Sequence, residues 1–438
     1  MLLRQREYFR RARLPTSRDS LLGLQRRAAP GIGDTVSFRF QTWDCDTYEP
    51  VQARAVYAGR RAIVFEDLSA PLAGQIDAEL QSLGAEFDTV MFDIVRQHFA
   101  DPLAFDAQLD GDGRIRFLFT HKVNEMNGVM AFVSSCDFES ISRWAASNEG
   151  EVVYANVPLS PRDISFWHRT ARPTVIHEVK HIASYAARYA AGHADFEVSW
   201  LEEGMAMHAE ELYGRRFTHA AQRTNAGYDS TLRCDYNEAA LGCTGRPYLL
   251  AEQFTMLYRY WTGAAPLSLS PERASWPVYG ASWSFLRAVA DRVSISEDSL
   301  YRALMHAPEF GAANLEARTN ISFEELFVDW LIASAVDDRP GVTPHRPEHT
   351  LPSWNSYDIF RGLRRAFYPP RYELEHPLDP AGLSFGSFRI PLFLQPASAM
   401  FYEVSGLQQA EQILGIVRAD GGKLPPNTPL RIAIMRIE

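Results

Sequence analysis

The stretch VIHEVKHIA, Val175 to Ala183, sets two histidines four residues apart with a glutamate directly after the first. A helix advances about 100° per residue, so His177 and His181 would project from nearly one side, a turn apart. Two imidazoles so placed can bind one Zn²⁺ through ring nitrogens. Glu178, one step round, would sit beside the metal, where a carboxylate can take a proton from a metal-bound water and pass it to a leaving amine. The plain alternative is a histidine pair on an ordinary helix. A third ligand discriminates, because a tetrahedral catalytic centre needs three protein donors and an open fourth position. The pattern that adds a third histidine on the same helix wants Gly and His where this chain has Ser184 and Ala187, which excludes it. Further along is WLEEGMAMHAEE, where Glu203 lies 22 positions after His181, far enough to end one helix, turn and bring a second alongside.

Those residues carry a resemblance. Trp200-Leu201-Glu202-Glu203-Gly204-Met205-Ala206 resembles the W-L-x-E-G-x-A helix of gluzincin metallopeptidases, in which the glutamate before the glycine is the third zinc ligand. With GVMAFVSSCDF, SNEGEVVYANVP, YGASWSFL and FVDWLIASAVDD in order, the chain from Gly33 to Asp338 looks like the hyicolysin-like neutral zinc metallopeptidases of that group. The resemblance implies a zinc endopeptidase with His177, His181 and Glu203 as Zn²⁺ ligands and Glu178 as general base and acid. Tyr279, in VYGASW, is the candidate for stabilising the oxyanion, since a donor aimed at developing charge lowers the barrier. Its plainer role is a core tyrosine at a helix start. Glu210, two turns beyond Glu203, could hold a ligand histidine by its other nitrogen.

The chain departs from the family pattern at two places. Lys180 fills a slot such enzymes usually leave uncharged, and its stem is expected to lie along the helix with the ammonium in solvent. Close to the metal it would repel the ion and perturb Glu178, which motivates a rival reading as an inactive zincin-like binding protein. Glu202 stands where asparagine is usual, so Glu202 and Glu203 both remain open as the ligand. A gluzincin aminopeptidase is a second rival, but its G-x-M-E-N loop is matched only by NEMNG, Asn124 to Gly128. The other histidines, including His193, His208, His306 and His349, have no ligand spacing and are expected at the surface or as caps.

The elements that must position these residues divide the chain. GDTVSFRFQTW, QARAVYAG, RAIVFED, RIRFLFT, GVMAFV and EVVYANV alternate or run apolar as strands do, and Ala73 to Ala100 has helical spacing. The zinc helix is expected to start after Pro173 with Thr174 as N-cap and to run to Ala191. SWLEEGMAMHAEELYG, YGASWSFLRAVADR and SFEELFVDWLIASAVDD read as three more helices, the last opened by Ser322 and Glu325 as a capping box. Past a proline-dense stretch from Asp337 to Pro352, short apolar runs cut by Pro and Gly suggest a small β-sandwich. The expected fold is therefore α+β: a basic tail over 1–32, a β-rich upper lobe of the peptidase over 33–170, a helical lobe with the zinc site over 171–340, and a C-terminal β-domain over 341–438. The resemblance names the two lobes zincin-like. Substrate is expected to lie extended along a sheet edge, at the GVMAFV strand.

Charge and cysteines bound the partners. A net charge of -10 argues against nucleic acid, whose phosphates need a basic surface, although the first thirty residues are rich in arginine. No window is apolar enough for a membrane span, and Met1-Leu2-Leu3 meets Arg4 at once, leaving no signal-peptide core. Protein or peptide substrate is the expected partner. Cys234 and Cys243 could close a small loop and leave Cys45 and Cys136 as a second bridge; an even count leans towards an oxidising, secreted or periplasmic setting. LDGDGRI, Leu109 to Ile115, could place oxygens of Asp110 and Asp112 on Ca²⁺, or serve as a tight turn only.

Overall fold

The computed structural model describes residues 29–41, 44–126, 128–192, 195–218, 220–232, 250–263, 266–272, 274–366, 372–378, 381–384, 394–405 and a few positions between 422 and 434. It is a mixed α/β structure built around a six-stranded sheet. The strands are β1 (Thr35–Gln41), β2 (Tyr48–Ala58), β3 (Ala62–Asp67), β4 (Ile115–Phe119), β5 (Ala131–Val133) and β6 (Val152–Ala155). Their order across the sheet is β1-β2-β3-β4-β6-β5. β1 to β3 form an antiparallel meander, β3, β4 and β6 run parallel, and β5 closes the edge antiparallel to β6.

Alternation sorts the side chains onto two faces, as a pleated strand requires. Ala62 and Val64 of β3, Phe117 and Phe119 of β4, and Val153 and Ala155 of β6 join the large core shared with the helices. Ile63, Phe65, Leu118 and Tyr154 point the other way, into a smaller core with Phe38, Phe40 and Phe132. Being buried on both faces explains why β3 reads AIVFED, an almost unbroken apolar run.

The β3-to-β4 crossover contains α1 (Asp77–Glu86), a π turn (Phe87–Met91) and α2 (Phe92–His98). The remaining helices that matter here are α3 (Ile164–Ala191), α4 (Ser199–Gly214), α5 (Ala251–Trp261), α6 (Trp276–Arg292), α7 (Glu297–Met305), α8 (Gly311–Thr319), α9 (Phe323–Val336) and α10 (Ser356–Ala366). α3 lies across β5 and β6 and against α2 and α4, and α6 packs between α4 and α5. Ser322 caps α9 by accepting the Glu325 N–H, as its sequence suggested.

Three expectations need correction. α3 begins at Ile164, so Pro173 lies inside it and Thr174 is not its N-cap. A proline there removes a ladder hydrogen bond and crowds the preceding turn. Nearby side chains bond the surrounding carbonyls: Thr174 Oγ1 donates to Thr170 O at 2.8 Å and Arg172 Nη1 to His168 O at 2.6 Å. Arg172 is itself anchored by Glu86 of α1 at 2.8 Å. Second, His208 is fully buried rather than exposed, 3.0 Å from Glu211 and 3.2 Å from Tyr301. Third, within the stretch read as a β-domain, Ser356–Ala366 is a helix, and β7 (Ala381–Ser384) and β8 (Tyr402–Ser405) pair in parallel. Much of the expected sandwich and the basic tail up to residue 28 lie outside the described residues, as do His193, Cys234 and Cys243. Cys45 and Cys136 form a disulfide.

Two glycines set the spacing of the site helices. A Cβ on Gly280 of α6 would stand 2.5 Å from Leu257 N and 2.8 Å from Gln253 O, both backbone atoms of α5. A Cβ on Gly204 of α4 would meet Leu286 Cδ1 at 2.8 Å and Ser282 Cβ at 3.0 Å. Backbone cannot yield as a terminal methyl can, so Gly280→Ala should cost about 1–3 kcal/mol in urea unfolding. Gly204→Ala should cost less, because its closest contact is the Leu286 methyl; the helix-propensity gain of about 1 kcal/mol applies to both sites. Equal or reversed losses would contradict this account of the packing.

Candidate metal centre

α3 presents His177 and His181 on one side, and α4 brings its acidic face against them. Ligand atoms of His177, His181 and Glu203 all lie within 4.8 Å of one another. Glu203 Oε2 is 3.2 Å from His177 Nε2 and 3.5 Å from His181 Nε2. The other nitrogen of each ring is held from behind. His177 Nδ1 is 2.7 Å from Glu210 Oε1, a contact the sequence spacing allowed, and Gln253 Nε2 of α5 donates to Glu210 Oε2 at 3.0 Å. His181 Nδ1 is 2.8 Å from Glu202 Oε1. Carboxylates at both Nδ1 atoms fix the ring orientations and leave both Nε2 atoms turned to one carboxylate oxygen, as metal-ligating histidines are commonly held.

The same geometry separates Glu202 from Glu203. Residues seven apart share a helix face, so Glu203 and Glu210 lie along the α3 side of α4, while Glu202 is displaced by one step. Glu203 faces both Nε2 atoms and Glu202 braces His181 from the opposite side.

Lys180 corrects a further expectation. Its side chain is 0% exposed, and the ammonium sits 2.9 Å from Glu202 Oε1 and donates to Glu202 O at 3.1 Å. It does not reach solvent. Its charge compensates the carboxylate that holds His181, so the lysine belongs to the support of the centre. Burial drives its pKa down, against the opposing pull of Glu202. Burial would raise the pKa of Glu202, but the charge of Lys180 and the bond to His181 outweigh that and hold it well below the ordinary value.

Four buried carboxylates, Glu178, Glu202, Glu203 and Glu210, therefore surround one lysine and two histidines. Burial opposes charge on His181, yet Glu203 and Glu202 lift its pKa to about 9, and Glu203 and Glu210 lift that of His177 well above its ordinary value. Glu203, despite burial, is drawn down to about 2 by His181 and His177. The cluster thus carries excess negative charge that two protonated rings offset, and a divalent cation at the three donors would offset it equally well. Two imidazoles and a carboxylate are also a donor set that suits Zn²⁺. The residues fit the metal.

Glu178 is 7% exposed, and no described residue hydrogen-bonds its carboxylate. Burial raises its pKa, and the like charges of Glu203 and Glu210 add to that against the two histidines. Tyr279, at the start of α6, is half-buried against the core and interacts with Glu203. Burial, followed by the charges of Glu203 and Glu178, pushes its phenol far above the ordinary value, so it remains a protonated donor beside the cluster.

Lys180 and Gln253 are the supporting residues that spacing alone missed. Gln253 carries a faint signal, a polar residue on the apolar face of AEQFTMLYRYW. Lys180 carries none, because a lysine inside a motif gives no indication of burial.

No protein-family model matches the chain, and no curated protein matches it.

Proposed function

We propose that the chain is a zinc-dependent endopeptidase of zincin-like, two-lobed architecture. The observation that carries this reading is the convergence of His177, His181 and Glu203, with both histidines braced at Nδ1 by separate carboxylates. His177, His181 and Glu203 would hold Zn²⁺, which supplies Lewis-acid activation of a water and of a peptide carbonyl. Glu178, whose carboxylate has no hydrogen-bond partner among the described residues and which lies beside the ligands, takes the proton of the attacking water and delivers it to the leaving amine. Tyr279 keeps its proton and donates to the oxygen that gains negative charge at the carbonyl. Substrate lies extended along β5, the short edge strand against which α3 packs, because an edge strand offers free backbone groups for strand addition. The Cys45–Cys136 bridge supports a secreted or periplasmic setting.

The test is hydrolysis of a fluorescence-quenched casein by the purified protein at saturating zinc. Cleavage that is abolished by chelation and restored by zinc is expected. A protein that binds zinc yet is as inert as its Glu178→Gln variant would leave a binding function and end the peptidase reading.

A further inference from the structure

A second cluster of carboxylates lies away from the zinc helices, where the loop before β4 meets the start of β6. Ligand oxygens of Asp106, Asp110 and Glu151 stand within 4.8 Å of one another. Two features separate this cluster from an ordinary acidic turn. Glu151 is 0% exposed, and neither of its carboxylate oxygens has a hydrogen-bond partner on another of the described residues. An unpartnered buried carboxylate is costly, since the protein must compensate the charge or keep the group protonated. Gly150 beside it leaves no room for a side chain: a Cβ there would stand 2.7 Å from Asp110 Oδ2.

The compensation supplied by the chain is small. Arg116 places Nη2 2.6 Å from Asp110 Oδ2 and 3.1 Å from Asp112 Oδ2. Its charge acts on Asp106 and Asp110, whereas the strongest charges acting on Glu151 are the carboxylates of Asp110, Asp106 and Asp112. Asp112 is taken by Arg116 and by the Arg114 N–H at 2.9 Å, so it braces the loop, the turn role that the sequence left open beside that of a ligand. Gly113 N donates to Asp106 Oδ1 at 3.2 Å and Asp112 N to Asp110 Oδ1 at 3.2 Å, which orients two carboxylates towards the third.

We propose that Asp106, Asp110 and Glu151 form a binding site for Ca²⁺ that ties the loop before β4 to the head of β6. An all-carboxylate donor set selects hard cations over Zn²⁺. Calcium tolerates irregular and bidentate carboxylate geometry at bonds of about 2.3–2.6 Å, which accommodates oxygens separated as these are, whereas Mg²⁺ demands a tighter octahedron.

The site is independent of the zinc centre, and the experiment keeps the two apart. Calcium is titrated calorimetrically into zinc-loaded full-length protein, alongside Glu151→Gln, Asp106→Asn and His177→Ala. One Ca²⁺ per chain is expected, bound no more weakly than millimolar, at least tenfold weaker in Glu151→Gln and unchanged in His177→Ala. Asp106 is only half-buried, so Asp106→Asn serves where Glu151→Gln does not fold, with weakened binding again expected. Wild type that takes up no calcium at millimolar concentration, affinity unaltered in the folded carboxylate variants, or Mg²⁺ binding at least as tight as Ca²⁺ would each overturn the proposal.

Discussion

Glu178→Gln is expected to lower kcat/KM for protein substrate by about 10²- to 10⁴-fold, the usual contribution of a positioned general acid and base. That is about 3–5 kcal/mol of transition-state stabilisation. The amide is isosteric, and Glu178 accepts no hydrogen bond from a described residue, so the braces at His177 and His181 should be undisturbed. Zinc content and unfolding midpoint should therefore match wild type. The loss should appear mainly in kcat, since proton transfer is made in the transition state and not in the ground state. A variant that loses zinc in parallel with activity would assign Glu178 to the metal, and one that keeps more than a tenth of wild-type activity would remove it from the chemistry.

Lys180→Met is expected to destabilise the fold by about 3–5 kcal/mol, the typical result of removing one partner of a buried ion pair. The methionine fills similar volume, but Glu202 is left buried with His181 as its remaining partner. The double change Lys180→Met with Glu202→Gln should recover most of that loss, because an uncharged pair has no unpaired carboxylate. Urea unfolding of the two single variants and the double variant measures the coupling. The double variant should still bind zinc more weakly than wild type, since the amide is a poorer brace for His181 Nδ1. Additive losses would show that Lys180 and Glu202 act separately, against the 2.9 Å contact between them.

Much of the sheet and of the site helices is legible in the sequence, for physical reasons. β1 alternates because one of its faces is buried, β4 and β6 run apolar because both of theirs are, and α4 is bounded by the same residues in pattern and in space. The pairing of HEVKH with WLEEG survives translation into structure because a four-residue spacing on one helix and a seven-residue spacing on the next each return to a single face. What was hidden depends on contacts between distant segments. Pro173 reads as a helix start, yet α3 runs through it from Ile164 to Ala191, packed against distant strands and helices. Lys180 reads as a solvated charge because Glu202, which its ammonium contacts, lies on another helix. Glu151 reads as the polar residue before a strand, and its burial beside Asp106 and Asp110 follows from the β4–β6 register, which composition does not disclose.

The most direct test of the central claim is the zinc content of the purified chain by mass spectrometry, for wild type, Glu203→Ala and Glu202→Ala after equilibration with the metal. One zinc per chain is expected in wild type, loss in Glu203→Ala, and weakened but saturable binding in Glu202→Ala. Full retention of zinc by Glu203→Ala, or a wild type that takes up none, would contradict a centre built from His177, His181 and Glu203.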